Sequence, residues 1–355
     1  MQREEDGTVR APSRPLTVLA AFAVIYLVWG STYLAILIGL ESMPPFLLAA
    51  ARFLVAGGAL YAWLRLRGVP RPSDSQWWAA VVTGTLMLVG GVGGITWAEQ
   101  RLPSGIAALL IATVPLWMTI LDVAVLCRSQ ATWRVVTGVG LGAVGVVVLI
   151  GPDGSALGGV DLIGALVVVV SALSWSIGSL VSRGGGLPDS PTMTVAVQMV
   201  SGGVVLLLLS GATGEWRNGF SLAEVTARSA MAMLYLAVLG SIVALSAYVW
   251  LLRQVSAPAV ATYAFVNPVV AVFLGWAVAS EVVSRSIVLA TVLILGAVGL
   301  IQSETWLRRR TSPKGQPAPV AAPSPAASRA VAPVLAASAV AASREAAMGC
   351  GECQG

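Results

Sequence analysis

The feature that most constrains this chain is a series of about ten apolar segments, each of a length that can cross a membrane as a helix. A transmembrane helix needs about 20 mostly apolar residues, and most of these segments contain no charged residue. Charged residues make up only 10% of the chain, against roughly 25% in soluble domains. The predicted spans are Leu16–Ile38, Pro45–Leu64, Trp77–Trp97, Ile106–Leu126, Val135–Ile150, Leu162–Val181, Thr192–Leu209, Ala230–Leu252, Ala259–Ala279 and Ile287–Ile301.

These spans are predicted to be helices. Inside lipid the backbone must satisfy its own hydrogen bonds, so only helices and closed barrels can cross. Barrel strands would give alternating segments of about ten residues, whereas the apolar runs here are longer and unbroken. Two spans, Val135–Ile150 and Ile287–Ile301, are marginal in length and would borrow flanking residues. The predicted fold class is therefore an all-α integral membrane protein with about ten transmembrane helices.

The distribution of basic residues predicts the orientation. Arginine and lysine accumulate in the loops that would be cytoplasmic if the N-terminus is inside, as the positive-inside rule requires. The opposite loops would then hold only Arg101, Arg217, Arg228 and Arg285. Both termini are thus predicted to be cytoplasmic, and the number of crossings is even. The formal charge of +5 follows from this bias and does not indicate nucleic-acid binding.

The two ends of the chain are predicted to carry no packed structure. Residues 1–14 are polar, and residues 304–355 form a cytoplasmic tail rich in alanine and proline, which cannot bury enough surface to fold. Cys350 and Cys353 in that tail have the spacing of a metal or redox pair, but we interpret them as incidental reduced thiols. The chain contains no histidine, the commonest general base and metal ligand. No cofactor and no metal site are predicted.

The membrane part is predicted to be an internal duplication. The segment Ala108–Pro115 of the fourth span resembles Ala261–Pro268 of the ninth, and Trp29–Ser31 of the first resembles Trp175–Ser179 of the sixth. Each half, residues 15–151 and 159–303, would then hold five helices. Because five is odd, the second half would enter the membrane from the opposite side. Such inverted repeats recur in transporters, with the substrate site near mid-membrane.

Several short motifs resemble a known family in their order and spacing. They are Val28–Ile36, Pro44–Phe46, Arg52–Gly57, Ala98–Gln100, Pro103–Leu109 and Pro115–Trp117 in the first half, and Ser256–Tyr263, Val266–Ala271, Gly275 and Glu281 in the second. Together they resemble the EamA branch of the drug/metabolite transporter superfamily, over about residues 15–303. The resemblance implies a ten-helix transporter of the bacterial inner (plasma) membrane, usually an exporter of metabolites or drugs. Asp122 departs from the family pattern.

Charged residues within or beside the spans are candidates for chemistry, because a buried charge costs roughly 2.5–3.5 kcal/mol on insertion scales. Arg52 is either a structural arginine or the contact for an anionic substrate group. Asp122 either reaches the membrane interface near Arg128 or carries a coupling proton. Glu99 and Glu281, at the ends of spans, are interpreted as interfacial residues.

Prolines and polar or aromatic side chains in the spans complete the candidate site. Pro115 and Pro268 either shape the packing or act as a pair of hinges, since each removes a backbone hydrogen bond. The aromatic residues could equally be interface anchors or packing residues. The candidates for the substrate cavity are Trp29, Thr32, Tyr33, Arg52, Trp97, Trp117, Trp175, Tyr248, Tyr263 and Asn267.

The sequence favours a secondary transporter that works by alternating access. It has no phosphate-binding Gly-Lys-Ser motif, so ATP is not the direct energy source. A channel-like facilitator is the main alternative, and a membrane enzyme is disfavoured because the spans lack convergent catalytic groups. The expected partners are the lipid bilayer and a small-molecule substrate, either an amino acid or related metabolite or an amphiphilic cation. Protons as the coupling ion and a homodimer are left open.

Overall fold

A computed structural model of the chain describes residues 15–125, 132–150, 161–182, 185–216, 220–255, 260 and 262–311. Within these residues the protein is a bundle of apolar helices, which confirms the predicted all-α membrane architecture. The predicted segment 1–14 and residues 312–355 of the predicted tail, with Cys350 and Cys353, lie outside the described residues, and so does Arg128. The first residues of the predicted tail, 304–311, are described and form the end of a helix.

The first five helices form from the first half of the apolar sequence. Helix α1 is Pro15–Gly39, α2 is Pro45–Leu66 and α3 is Asp74–Ala98, within which Thr85–Gly93 is a π-helix. Helix α4 consists of Ser104–Ile111, Val114–Ile120 and the π-helical turn Leu121–Val125, and α5 is Trp133–Ile150.

The other five helices form from the second half of the apolar sequence, and the third of them again contains a π-helix. Helix α6 is Leu162–Ser182 and α7 is Pro191–Ala212. Helix α8 consists of Ala227–Tyr235, the π-helix Leu236–Val243 and Ala244–Gln254, and it follows a short 3₁₀ turn at Leu222–Glu224. Helix α9 is Tyr263–Ala279 and α10 is Arg285–Thr311.

Each predicted span overlaps one helix, and the ends differ by a few residues in most cases. The largest difference is α10, which was predicted as the marginal span Ile287–Ile301 but is a helix of 27 residues. The polar residues after Ile301 end the apolar pattern without ending the helix, because a helix can extend beyond the hydrocarbon layer. The start predicted for the ninth span, Ala259, lies outside the described residues.

The helix contacts follow a reciprocal pattern. Helix α2 packs along α7, α5 along α10 and α4 along α9. Helix α1 contacts α8 and α9, while α6 contacts α3 and α4. If α1–α5 are matched in order with α6–α10, every one of these pairs maps onto itself or onto another pair in the set.

Glycines in the run Gly90–Gly94 of α3 permit close approaches to α6 and α7. A Cβ atom on Gly91 would lie 2.9 Å from the ring of Trp175, and one on Gly93 would lie 2.8 Å from the side chain of Leu206. Gly90 and Gly94 face the side chains of Ser174 and Ser171 on α6 with even less space. Any larger residue at these positions would separate α3 from its neighbours.

Candidate functional site

Three of the predicted cavity residues meet in an aromatic cluster formed by α1, α8 and α9. The ring centroid of Trp29 lies 5.5 Å from that of Tyr248 and 5.1 Å from that of Tyr263, and the two tyrosine rings are 6.0 Å apart. Trp29 Nε1 donates a hydrogen bond of 3.0 Å to the carbonyl oxygen of Gly240. These contacts hold the ring of Trp29, a residue of the first half of the chain, against helices of the second half.

A second group of predicted residues lies next to this cluster, on the part of α1 that follows Trp29. Tyr33 is within electrostatic range of Tyr263 and Arg52, so it links the aromatic cluster to the charged residue of α2. Tyr33 and Tyr263 lie deep in the protein but keep partly accessible surfaces. Thr32 is instead buried, and its hydroxyl donates a hydrogen bond of 2.6 Å to the carbonyl oxygen of Trp29 on its own helix.

Arg52 is a buried cation held by the second half of the chain. It is 9% exposed, and its Nε donates a hydrogen bond of 3.1 Å to Ser241 Oγ in the π-helix of α8. Its guanidinium carbon lies 5.1 Å from the ring centroid of Phe53, in a cation–π arrangement. These contacts hold the side chain inside the bundle, so it does not extend to the membrane surface.

Glu99 is the functional candidate that the sequence reading missed. We expected an interfacial residue, and this was wrong, because the side chain is only 2% exposed. Within the described part of the chain, neither carboxyl oxygen has a hydrogen-bond partner. Glu99 directly follows the last residue of α3, and its position along the chain does not reveal that other helices cover it. The only signal in the sequence was an acidic residue adjoining an apolar span.

Two other carboxylates cap helices of the first half from loops of the second half. Glu281 accepts hydrogen bonds from the backbone N–H groups of Ser104 at 2.6 Å and Gly105 at 3.1 Å. Glu215 accepts from the N–H groups of Phe46 and Leu47, both at 3.0 Å. A carboxylate at a helix N-terminus satisfies free N–H groups and the positive end of the helix dipole. We call these contacts the carboxylate caps of α4 and α2.

The loops around Glu99 and the two caps form one end of the bundle, which we call the Glu99 end. Arg101 and Asp161 are joined there by a salt bridge of 2.8 Å, and Arg228 and Glu41 by one of 3.3 Å. The hydrogen bond from Arg101 is the main reason why the pKa of Asp161 lies below its ordinary value. Electrostatic links at this end therefore fasten loops that are distant in sequence.

The two paired prolines differ in their local structure. Helix α4 is interrupted at residues 112–113, and Pro115 is the second residue of the segment that follows. Helix α9 instead continues through Pro268, which is buried. The side-chain oxygen of Asn267 is buried there without a partner among the described residues.

Two tryptophans occupy reciprocal positions in the halves. Trp29 on α1 contacts the π-helix of α8 at Gly240, and Trp175 on α6 packs on Gly91 in the π-helix of α3. The residue after Trp175, Ser176, donates a hydrogen bond of 3.2 Å to the carbonyl oxygen before Pro115. The residue after Trp29 is Gly30, where a Cβ atom would lie 3.2 Å from the carbonyl oxygen before Pro268.

The remaining predicted residues lie in other surroundings. Trp97 is half-buried, and the guanidinium of Arg101 stacks on its ring at 4.9 Å. Trp117 is half-buried on α4, and Asp122 is partly exposed in the π-helical turn that ends this helix. Among the residues that the structure describes, no group of three or more acidic, cysteine or histidine side chains could hold a metal ion.

Comparison with known proteins identifies relatives over the whole membrane part. The profile of the EamA-like transporter family matches residues 16–151 and, separately, residues 162–303. The chain is 39% identical over 297 residues to the uncharacterized inner membrane transporter YedA of Escherichia coli strain K12, covering 81% of this chain and 90% of that protein.

More distant relatives and a solved structure agree with this match. The uncharacterized transporter YoaV of Bacillus subtilis is 24% identical, over 82% of this chain and 99% of its own length. A crystal structure that is 24% identical superposes with a TM-score of 0.55, covering 84% of this chain and 100% of the solved one. At that identity the superposition supports the fold alone.

Proposed function

Because this chain belongs to the EamA-like transporter family, we propose that it is a secondary transporter that exports small zwitterionic metabolites, amino acids above all. The observation that carries the proposal is that a basic and an acidic side chain, Arg52 and Glu99, are both buried inside a bundle of membrane helices. We propose export and not uptake because the family resemblance implies an exporter. Transport and not catalysis follows the names of the relatives.

The substrate class follows from the placement of these two side chains, which lie near each other without forming an ion pair. Glu99 is close enough to Arg52 for electrostatic attraction, yet the two form no ion pair within 4.0 Å in the described part of the chain. Buried charges are stable only when they are paired or hydrogen-bonded. A carboxylate group could bind Arg52 while an ammonium group of the same molecule binds Glu99. An amphiphilic cation would leave Arg52 unpaired, so it fits less well.

Alternating access is supported by the reciprocal helix contacts and by the tryptophan–glycine pairs, Trp29 with Gly240 and Trp175 with Gly91. Contacts that repeat when the halves are exchanged are those of two related units. With five helices each, the units have opposite orientations in the membrane, and they rock about the site between them. The carboxylate caps join the halves at the Glu99 end, so opening at this end requires their separation.

The orientation that we propose places the Glu99 end on the outside of the cell. It follows from the excess of arginine and lysine in the loops at the other end. Cysteines introduced at the exposed residues Glu224 and Asp189, after removal of the native cysteines, should therefore label from opposite sides of the membrane. Labelling of both residues from one side would reject this topology.

The function is tested by counterflow in vesicles. Purified protein in liposomes loaded with unlabelled L-amino acids should take up a radiolabelled mixture of the same amino acids, because a carrier exchanges bound molecules across the membrane. Uptake should saturate and should need internal amino acid. Currents that rise linearly with voltage would identify a channel, and the absence of exchange in folded protein would reject the proposed substrate class.

The prolines are proposed to be hinges, and their replacement should slow the transport cycle. In Pro268→Ala, a restored backbone hydrogen bond stiffens a helix that must bend. Pro115 lies at the start of the second segment of α4, so Pro115→Ala instead removes the ring that disfavours a continuous helix across residues 112–113. The rate of exchange should fall in both variants, and further in Pro268→Ala because Asn267 is adjacent, while amino-acid affinity stays within a few-fold of wild type. Pro191→Ala is the control, because Pro191 begins α7, where its missing N–H has no partner to lose. Wild-type exchange rates in both variants would make these prolines packing residues.

A further inference from the structure

The buried carboxyl of Glu99 lacks the contacts that stabilise an ionised group. An isolated carboxylate in apolar surroundings is strongly destabilised, and it either takes up a proton or binds a cation. The caps show the contrast. Glu215 is satisfied by two backbone N–H groups and by the hydroxyl of Ser210 at 2.6 Å, and Glu281 by two backbone N–H groups. Among the described residues of this end, Glu99 is thus a buried carboxyl that no hydrogen bond engages.

The charged and titratable groups that act on Glu99 come from several elements. Arg52 of α2 attracts a negative charge on Glu99, and Glu281, after α9, repels it. Tyr33 of α1 also lies within electrostatic range. The hydroxyl of Ser104, at the same end, is buried without a hydrogen-bond partner among the described residues. The site therefore contains one cation, two carboxyls and the hydroxyls of Ser104 and Tyr33, a setting in which a proton changes the balance of charge.

We propose that Glu99 is the residue that exchanges a proton for the substrate, so that export is driven by the proton gradient. This inference rests on the proposed transport function. In the resting state Glu99 is a neutral carboxylic acid. When substrate enters from the cytoplasm, the O–H bond of Glu99 breaks, its proton leaves to water, and the substrate ammonium group takes its place beside the carboxylate.

The return half of the cycle reverses this exchange on the outside. A proton from the external solution binds to Glu99, the carboxylate becomes neutral, and the ammonium group loses its partner and leaves. The protonated, empty protein then returns to the inward-facing state. One proton enters for each substrate exported, so atoms and charges balance over the cycle. Because the zwitterion is neutral, each cycle moves one positive charge inward.

The position of Glu99 favours it over Asp122, the coupling residue suggested by the sequence. Asp122 is partly exposed in the last turn of α4, at the end of the bundle opposite Glu99. There a proton can equilibrate with solvent without being tied to substrate binding. Glu99 is sealed from solvent and shares its surroundings with the proposed anion contact, Arg52. Competition between proton and substrate requires that proximity.

The first test detects the proton directly and needs no substrate. Infrared difference spectra of the wild-type protein in liposomes should contain the carbonyl band of a protonated carboxylic acid that disappears as pH rises. The band should be absent in Glu99→Gln and present in Glu41→Gln, a matched control because Glu41 is an exposed carboxylate at the same end. An unchanged band in Glu99→Gln would overturn the assignment of the proton to this residue.

The second test measures coupling with the radiolabelled amino-acid mixture. If proton and substrate compete for one carboxylate, wild-type affinity should weaken by up to about tenfold for each unit that the pH falls. Glu99→Gln should bind more weakly, with no pH dependence, and Glu99→Asp should restore the dependence. In the wild type, an inward-directed gradient of one pH unit should drive export until the amino-acid concentration outside is about tenfold that inside. In Glu99→Gln the same gradient should drive no export.

The outcomes separate this inference from the proposed function. Exchange by the wild type with the same pH dependence in Glu99→Gln would leave the transporter assignment intact and overturn the role of Glu99. Export that follows a sodium gradient at constant pH would replace the proton by sodium and also overturn it. Absence of exchange in the wild type would reject the proposed function, while the infrared band would still report whether Glu99 holds a proton.

Discussion

Replacing Arg52 with glutamine should reduce amino-acid affinity by roughly tenfold to a hundredfold. Hydrogen bonds to a charged group contribute about 1.5–3 kcal/mol, which corresponds to that range in binding. Glutamine can keep a hydrogen bond to Ser241, but it has no charge to pair with a substrate carboxylate. Affinity measured by competition in the counterflow assay gives the effect.

Two further variants show whether the charge of Arg52 or its place in the fold is responsible. Arg52→Lys should recover part of the affinity, because it keeps the charge but loses the two-pronged geometry of the guanidinium. Arg67→Gln, directly after the end of the same helix, should bind normally, since Arg67 is exposed and stacks on Trp63. Folding is checked by size-exclusion chromatography. Normal affinity in a well-folded Arg52→Gln protein would exclude Arg52 from the substrate site.

Replacing Gly57 with alanine should destabilise the protein, whereas the same change at the adjacent Gly58 should not. A Cβ atom on Gly57 would lie 2.7 Å from the Cβ of Met199, 2.9 Å from the nitrogen of Val200 and 3.1 Å from the oxygen of Ala196. Two of these atoms belong to the backbone of α7, which cannot move aside as a side chain can. The expected cost is about 1–3 kcal/mol.

Gly58 is the matched control, because it lies in the same turn of α2 and a Cβ atom there would meet nothing within 4 Å. Alanine at Gly58 should stabilise the helix by up to about 1 kcal/mol, since glycine is the poorer helix former. The difference is measured as thermal unfolding in detergent, with exchange activity recorded in parallel. Equal unfolding temperatures for the two variants would mean that α7 does not lie close enough to Gly57 to exclude a Cβ atom there.

The sequence predicted the helices well because the signal for a membrane span is local. A segment of apolar residues must satisfy its backbone hydrogen bonds within itself when it enters lipid, so length and hydropathy are sufficient to locate it. The π-helical stretches Thr85–Gly93 and Leu236–Val243 were not predicted. A π-helical hydrogen-bond pattern changes the register of the backbone by one residue, and a segment that is apolar on all sides carries no periodicity to reveal it.

The candidate site was predicted in part. Trp29, Tyr248 and Tyr263 do meet, and Arg52 is buried near Tyr33. Thr32 is buried and bonded to its own helix, and Glu99, which was expected at the interface, is buried. Trp29 and Tyr263 lie on the repeated segments, and Tyr248 lies on a span that was expected to line the cavity. Glu99 was missed because the covering of a residue at a helix end depends on which other helices lie beside it.

The sequence by itself determined the solvent of this protein, the number and approximate limits of its helices, and its family, since each depends on composition or on motifs within a short stretch of chain. Only the tertiary structure decided which charges are buried, unpaired or capped. The caps join Glu215 to Phe46 and Glu281 to Ser104, pairs that are 169 and 177 residues apart. Such contacts arise from how the halves pack together, and the free energy of a charge depends on that packing far more than on its neighbours in sequence.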